Sequence, residues 1–190
     1  MALPSEFRTK RAEYLDQVAK KYQFHEFNNL TNDDFMILGK YIQLYCFMEL
    51  NLHRLFNKLN SMGVIKRKPK GKIHIPYIIE TLIFLVESGI VKPSKNIGVI
   101  DKLKEIRFRR DYRNVFAHWA AKRIPSEDAI VFFSGDSVDY NKTFKKKIEP
   151  EVIAYVVFDV ADIRGMVAHL LEYEVWMAHL CAEIFNENDN

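Results

Sequence analysis

The chain has 190 residues, 48% of them hydrophobic and 28% charged, with 7 Gly, 6 Pro and a formal net charge of +3. That usage excludes a disordered or loop-rich chain, and the length suits one domain better than two. A mildly basic balance neither requires nor excludes a polyanionic partner, so local clustering has to decide.

Four stretches of one domain follow in order: an N-terminal helix and linker over 1–32, bundle helices over 33–125, a β insertion over 126–158 and a C-terminal helix over 159–186. Residues 5 to 22 read as a charged, weakly amphipathic helix ending in the polar break HEFNNLTNDD. Thr31, Asn32 and Asp33 offer helix caps there, and the negative charge of Asp34 favours a helix N-terminus. A long helix from Asp34 to about Met62 carries Phe35, Leu38, Ile42, Tyr45, Met48, Leu52, Leu55, Phe56 and Leu59 at three- and four-residue steps, and Gly63 stops it.

KRKPKGK, residues 66 to 72, is a compact basic loop. YIIETLIFLVESGIV is apolar around most of its circumference, which predicts a central buried helix entered at Pro76 and ended by Gly89 and Pro93. A further helix spans about Ile97 to Ala121 and is closed by Pro125. The period then changes: AIVFF and VIAYVVF read as β-strands with SGD as a turn, and DYNKTFKKK as another strand or a basic loop. Helical spacing returns from Asp159 to Phe185 through Val160, Ile163, Val167, Leu170, Leu171, Val175, Trp176 and Leu180. Short links between long helices favour a mainly α, antiparallel helical bundle with a small β insertion before the last helix.

Two segments share an Arg followed five residues later by a His: RNVFAH, Arg113 to His118, and RGMVAH, Arg164 to His169. Chance alone yields roughly 0.3 such pairs in this composition, so the spacing is weak and the surroundings must discriminate. Around the first, Arg110, Asn114 and His118 lie four apart on one helix face, with Arg107 and Arg109 nearby, while Tyr112, Val115, Phe116 and Trp119 supply a burying flank. Around the second, Gly165, Met166, Val167, Leu170 and Leu171 suggest a partly buried packing histidine. The cationic strip is a solvated face, a phosphate-binding surface or a catalytic one. In the catalytic case an imidazole, whose ordinary pKa lies near neutrality, transfers the proton and guanidinium groups stabilise an anionic transition state. Attack of a ribose 2′-OH on its own phosphate requires no more than that, and no metal.

RNVFAH on a late helix of a bundle resembles the RxxxxH signature of the HEPN superfamily, the higher eukaryotes and prokaryotes nucleotide-binding domains; Asn114 after the Arg and Ala117 before the His match the family pattern. The resemblance implies a HEPN-type fold and a metal-independent endoribonuclease of toxin, antiviral or RNA-processing type, without a cofactor. It implies catalytic roles for Arg113 and His118, with Asn114 orienting the histidine or the phosphate. It also implies a homodimer whose two motifs line one cleft, and an antitoxin or regulatory partner is compatible with that. Residues five apart on a helix diverge by about 140°, and a twofold pairing of the helix brings both residue types into one cleft. The competing class is a noncatalytic helical module binding nucleotide, RNA or a protein through the same strip.

Arg107, Arg109 and Arg110 are the further substrate-binding expectations, joined by Lys66, Arg67 and Lys68 if the basic loop meets RNA backbone rather than solvent alone. Glu49, on an apolar part of the long helix, is a supporting acid that could receive an active-site arginine; with His53 it is a polar pair rather than half a metal site. Cys46 and Cys181 sit in QLYCFME and AHLCAEI without CxxC spacing, the pattern of buried free thiols in a reducing compartment. MALPSEFRTKRAEY has no apolar signal core, and no window reaches the length of a membrane helix, so a soluble, cytoplasmic protein is expected.

Overall fold

The computed structural model describes residues 9–65, 73–93, 98–136, 138, 140, 141, 149 and 153–186. Among them the chain is mainly helical, with helices α1 (Lys10–Ala19), α2 (Asn32–Ser61), α3 (Ile75–Glu87), α4 (Val99–His118) and α5 (Val160–Asn186). Strands β1 (Ala120–Arg123), β2 (Ala129–Ser134) and β3 (Ala154–Asp159) form one antiparallel sheet in the order β1, β2, β3. The chain divides into two compact units, Met1–Ile42 with Asp111–Ala168 and Gln43–Arg110 with His169–Asn190.

The first unit is built on the sheet. β2 is buried on both faces, so its AIVFF run is apolar at every position rather than at alternate ones. Ala129 and Val131 pack with Val157 of β3 against Leu15, Val18 and Ala19 of α1 and against Phe27. On the opposite face Phe132 and Phe158 meet Phe116 of α4, with ring centroids 5.1 and 5.2 Å apart, and Tyr41 of α2 closes on Phe116 at 4.9 Å. Phe132 is fully buried, which stabilises the unit by roughly 1.5 to 3 kcal/mol relative to exposure.

α2 begins with a reciprocal cap. The Thr31 hydroxyl oxygen accepts from the Asp34 N–H at 3.2 Å, while the Asp34 carboxylate accepts from the Thr31 N–H at 2.8 Å. Thr31→Ala is therefore expected to cost about 1 kcal/mol, read as a melting temperature lower by roughly 2 to 4 °C. α1 begins at Lys10, where the Thr9 side chain accepts from the Ala12 N–H and caps it, and it ends at Ala19 rather than at residue 22; residues 5–8 of the predicted helix lie outside the described residues.

The second unit gathers segments of α2, α4 and α5 with all of α3 around a core that includes Met48, Leu52, Leu55, Ile78, Ile79, Leu103, Ile106, Leu170 and Met177. The Tyr45 hydroxyl donates to the Ile106 carbonyl at 2.9 Å, tying α2 to α4, and Phe56 meets Tyr77 of α3 at 6.0 Å. Gly63 ends α2 with φ +74°, and the Val64 N–H closes onto the Leu59 carbonyl at 3.0 Å. That left-handed residue after the helix is why a glycine stands there.

Several expectations need correction. α4 stops at His118 instead of continuing to Ala121, and Ala120–Arg123 form β1 despite good helix-forming side chains. Pairing with β2, and a bridge between Asn28 and Arg123, override local propensity. Pro125 consequently lies in the β1–β2 turn, where Ser126 takes φ 62° and the Glu127 N–H donates to the Ile124 carbonyl at 3.2 Å. β2 and β3 pair as expected, yet SGD is not their turn, since residues 135–153 lie between them. Tyr140 and Asn141 are helical rather than extended; residues 142–148 lie outside the described residues. α3 is not buried all round: Glu80, Phe84 and Glu87 face solvent. Phe35 is 62% exposed and Val175 51% exposed, although both fall on apolar helical steps.

Candidate functional site

The last turns of α4 place RNVFAH. Tyr112, Val115 and Phe116 are buried, with Tyr112 meeting Phe158 at 5.6 Å, so the sheet fixes which arc of the helix remains for Arg113, Asn114 and His118. His118 is the final helical residue and is exposed. Arg113 and Asn114 are half-buried, and Arg113 Nη1 donates to Asn114 Oδ1 at 3.3 Å. Arg113 Nε is buried with no hydrogen-bond partner among the described residues. A desolvated donor left unmade costs about 1 to 3 kcal/mol, and more when charged, so an anion reaching that guanidinium offsets a penalty already present. An exposed imidazole and an under-satisfied guanidinium, held within two turns of each other, are equipped for proton transfer beside an anion.

The remaining predicted residues fall in the second unit. Arg107 Nη1 donates to Glu80 Oε1 at 2.8 Å and Arg109 Nε to Glu105 Oε1 at 2.6 Å. Arg110 Nε lies 3.8 Å from Glu49 Oε1, an ion pair too long for a hydrogen bond, and that Nε has no hydrogen-bond partner among the described residues. Glu49 thus faces an arginine, and the arginine is Arg110. Each of these three strip arginines faces an acid, Glu80 on α3, Glu105 on α4 and Glu49 on α2, which lowers the self-repulsion that the linear sequence suggests. Lys66, Arg67 and Lys68 lie outside the described residues.

The second copy of the pattern is not buried: Arg164 and His169 are both exposed. The core stripe of α5 runs through Val160, Ile163, Val167 and Leu170, and the flanking apolar residues do not cover the imidazole. Cys181 is buried, donates to the Asn51 carbonyl at 3.5 Å and has its thiol pKa pushed up to about 11 by burial, whereas Cys46 is only half-buried; both are free. Among the described residues no group of three or more His, Cys, Asp or Glu side chains gathers, and no helix is long and apolar enough to cross a membrane.

Sequence reasoning missed Arg123 and the second role of Asp34. Arg123 Nη1 reaches both Asp34 oxygens at 2.8 and 3.0 Å, and Nη2 reaches Asp128. The available signal was Asp34 itself, a carboxylate three residues after a capping threonine; its partner lies 89 residues away. No protein-family profile, curated protein or solved structure matches this chain.

Proposed function

We propose that the protein is a metal-independent endoribonuclease of HEPN type, an antiparallel bundle acting as a cytoplasmic homodimer, with a toxin or antiviral role. His118 transfers the proton of the attacking 2′-OH or of the leaving 5′-oxygen. Arg113 neutralises charge on the phosphorane oxygens, and Asn114 positions the guanidinium. Arg107, Arg109, Arg110 and the basic loop contribute backbone affinity. The observation that carries the reading is the half-buried Arg113, oriented by Asn114 and left with an unpartnered Nε, on the same helix end as an exposed His118.

Incubation of purified protein with single-stranded RNA in EDTA tests it. The expected products carry 2′,3′-cyclic phosphate ends, and a 2′-deoxy substrate of the same sequence stays intact. Binding without cleavage of any RNA favours a noncatalytic module.

A further inference from the structure

On the α1 face of the sheet in the first unit lies an aromatic cleft of about 360 Å³, opened between Tyr22, Phe24, Phe27, Phe133 and Tyr155, with Ile153 at its edge. Phe24 stands 54% exposed on a short 3-10 turn, edge-on to Phe133 at 5.0 Å, and Ile153 is 57% exposed. Phe27 and Phe133 lie 5.4 Å apart beneath them. An apolar side chain of this size left in solvent beside an open cavity is unusual for a core edge and usual for a ligand slot.

The polar groups are few and placed. Asp16 is buried; its carboxylate accepts from Lys20 Nζ at 2.7 Å and from the Tyr155 hydroxyl at 3.0 Å. Burial raises the Tyr155 pKa, and the bond to Asp16 raises it further, so the phenol stays protonated and donates to Asp16. Lys20 lines the cleft with ammonium hydrogens to spare beyond its single bond to Asp16. Lys21 is exposed beside it, without an ion pair among the described residues. Asp16 offsets Lys20. Glu26, the other acid of this turn, accepts from the Gln23 N–H at 2.5 Å. Lys20, Lys21, Asp16 and Glu26 together carry no net charge; the slot suits a neutral planar ring, and the adjacent ammonium groups of Lys20 and Lys21 are local donors for one flanking phosphate.

We infer that this cleft is a subsite for one unpaired nucleobase of single-stranded RNA, stacked against Phe24, with the flanking phosphate near Lys20 and Lys21. It rests on the RNA reading above and adds a second point of grip, on the sheet face opposite the one that packs on Phe116 of α4. A base held there lies on the sheet face away from α4, so the cleft governs where along a strand the enzyme engages. Lysines alone hold any sequence equally; an aromatic slot demands that a base be unpaired.

The probe is a 2′-O-methyl hexanucleotide carrying a central 2-aminopurine, which cannot be cleaved by 2′-OH attack and whose fluorescence is quenched on stacking. Wild-type protein is expected to quench it. Phe24→Ala is expected to weaken binding about 5- to 150-fold and abolish the quenching, while Phe24→Trp retains both. Ile153→Trp, which fills the slot from an exposed position, should also abolish the quenching, with circular dichroism and melting unchanged for each variant. Wild-type protein that fails to bind or to quench, or Phe24→Ala that quenches as wild type does, overturns the subsite. Cleavage of ordinary RNA in EDTA without quenching leaves the ribonuclease reading standing and this one refuted; quenching without cleavage does the reverse.

Discussion

His118→Ala is expected to lower RNA cleavage in EDTA by about 10²- to 10⁴-fold, the usual cost of removing one general acid or base. Because His118 is exposed at a helix end, the substitution opens no cavity, and the melting temperature should move little. His169→Ala serves as the internal comparison. Its imidazole is also exposed, so accessibility does not separate the two histidines; chemistry does, since only His118 shares its helix end with the Arg113 and Asn114 contact. Cleavage that survives His118→Ala and vanishes in His169→Ala assigns the site to the wrong helix. Cleavage unchanged by both rules out an imidazole-driven reaction at either copy.

Arg123→Ala is expected to produce the largest loss of stability, about 3 to 5 kcal/mol, seen as a melting temperature lower by roughly 10 °C. Asp34 is 1% exposed, and the substitution leaves its carboxylate with Thr31 alone among the described residues. The same pair gives an acid dependence. Burial pushes the Asp34 pKa up, but hydrogen bonds from Thr31 and Arg123, with the Arg123 charge, outweigh it and hold the value below the ordinary carboxylate range. A depressed folded-state pKa contributes stability that is complete above the unfolded value near 4 and is lost as pH falls through the folded one. Acid unfolding followed by circular dichroism should therefore begin at higher pH in Arg123→Ala than in wild type. An unchanged acid transition counts against the pair. Arg107→Ala, which removes a solvent-exposed bridge to Glu80, should cost no more than about 1 kcal/mol.

Much of the helical content was legible in residue order. Three- and four-residue apolar steps, Thr31 and Gly63 locate α2 closely, because helix periodicity and caps are local signals. β1 was not legible. Ala120, Ala121, Lys122 and Arg123 favour a helix in isolation, and only the ladder to Ile130–Phe133 makes them a strand. Exposure was equally hidden: Phe35 and His169 sit on patterns that suggest burial, but whether a face is covered depends on what a distant segment supplies.

By itself the sequence determined a mainly helical chain with a small β element and singled out Arg113, Asn114 and His118 through their neighbours. Periodicity, capping and charge density are properties of contiguous residues. Tertiary structure alone decided that Arg113 Nη1 bonds Asn114 while its Nε is buried without a partner among the described residues, and that Asp34 answers Arg123. It also opened an aromatic cleft between Tyr22, Phe24 and Phe27 on one side and Phe133 and Tyr155 of the sheet on the other. Desolvation and pairing depend on groups far apart along the chain, and residue order does not encode those distances locally.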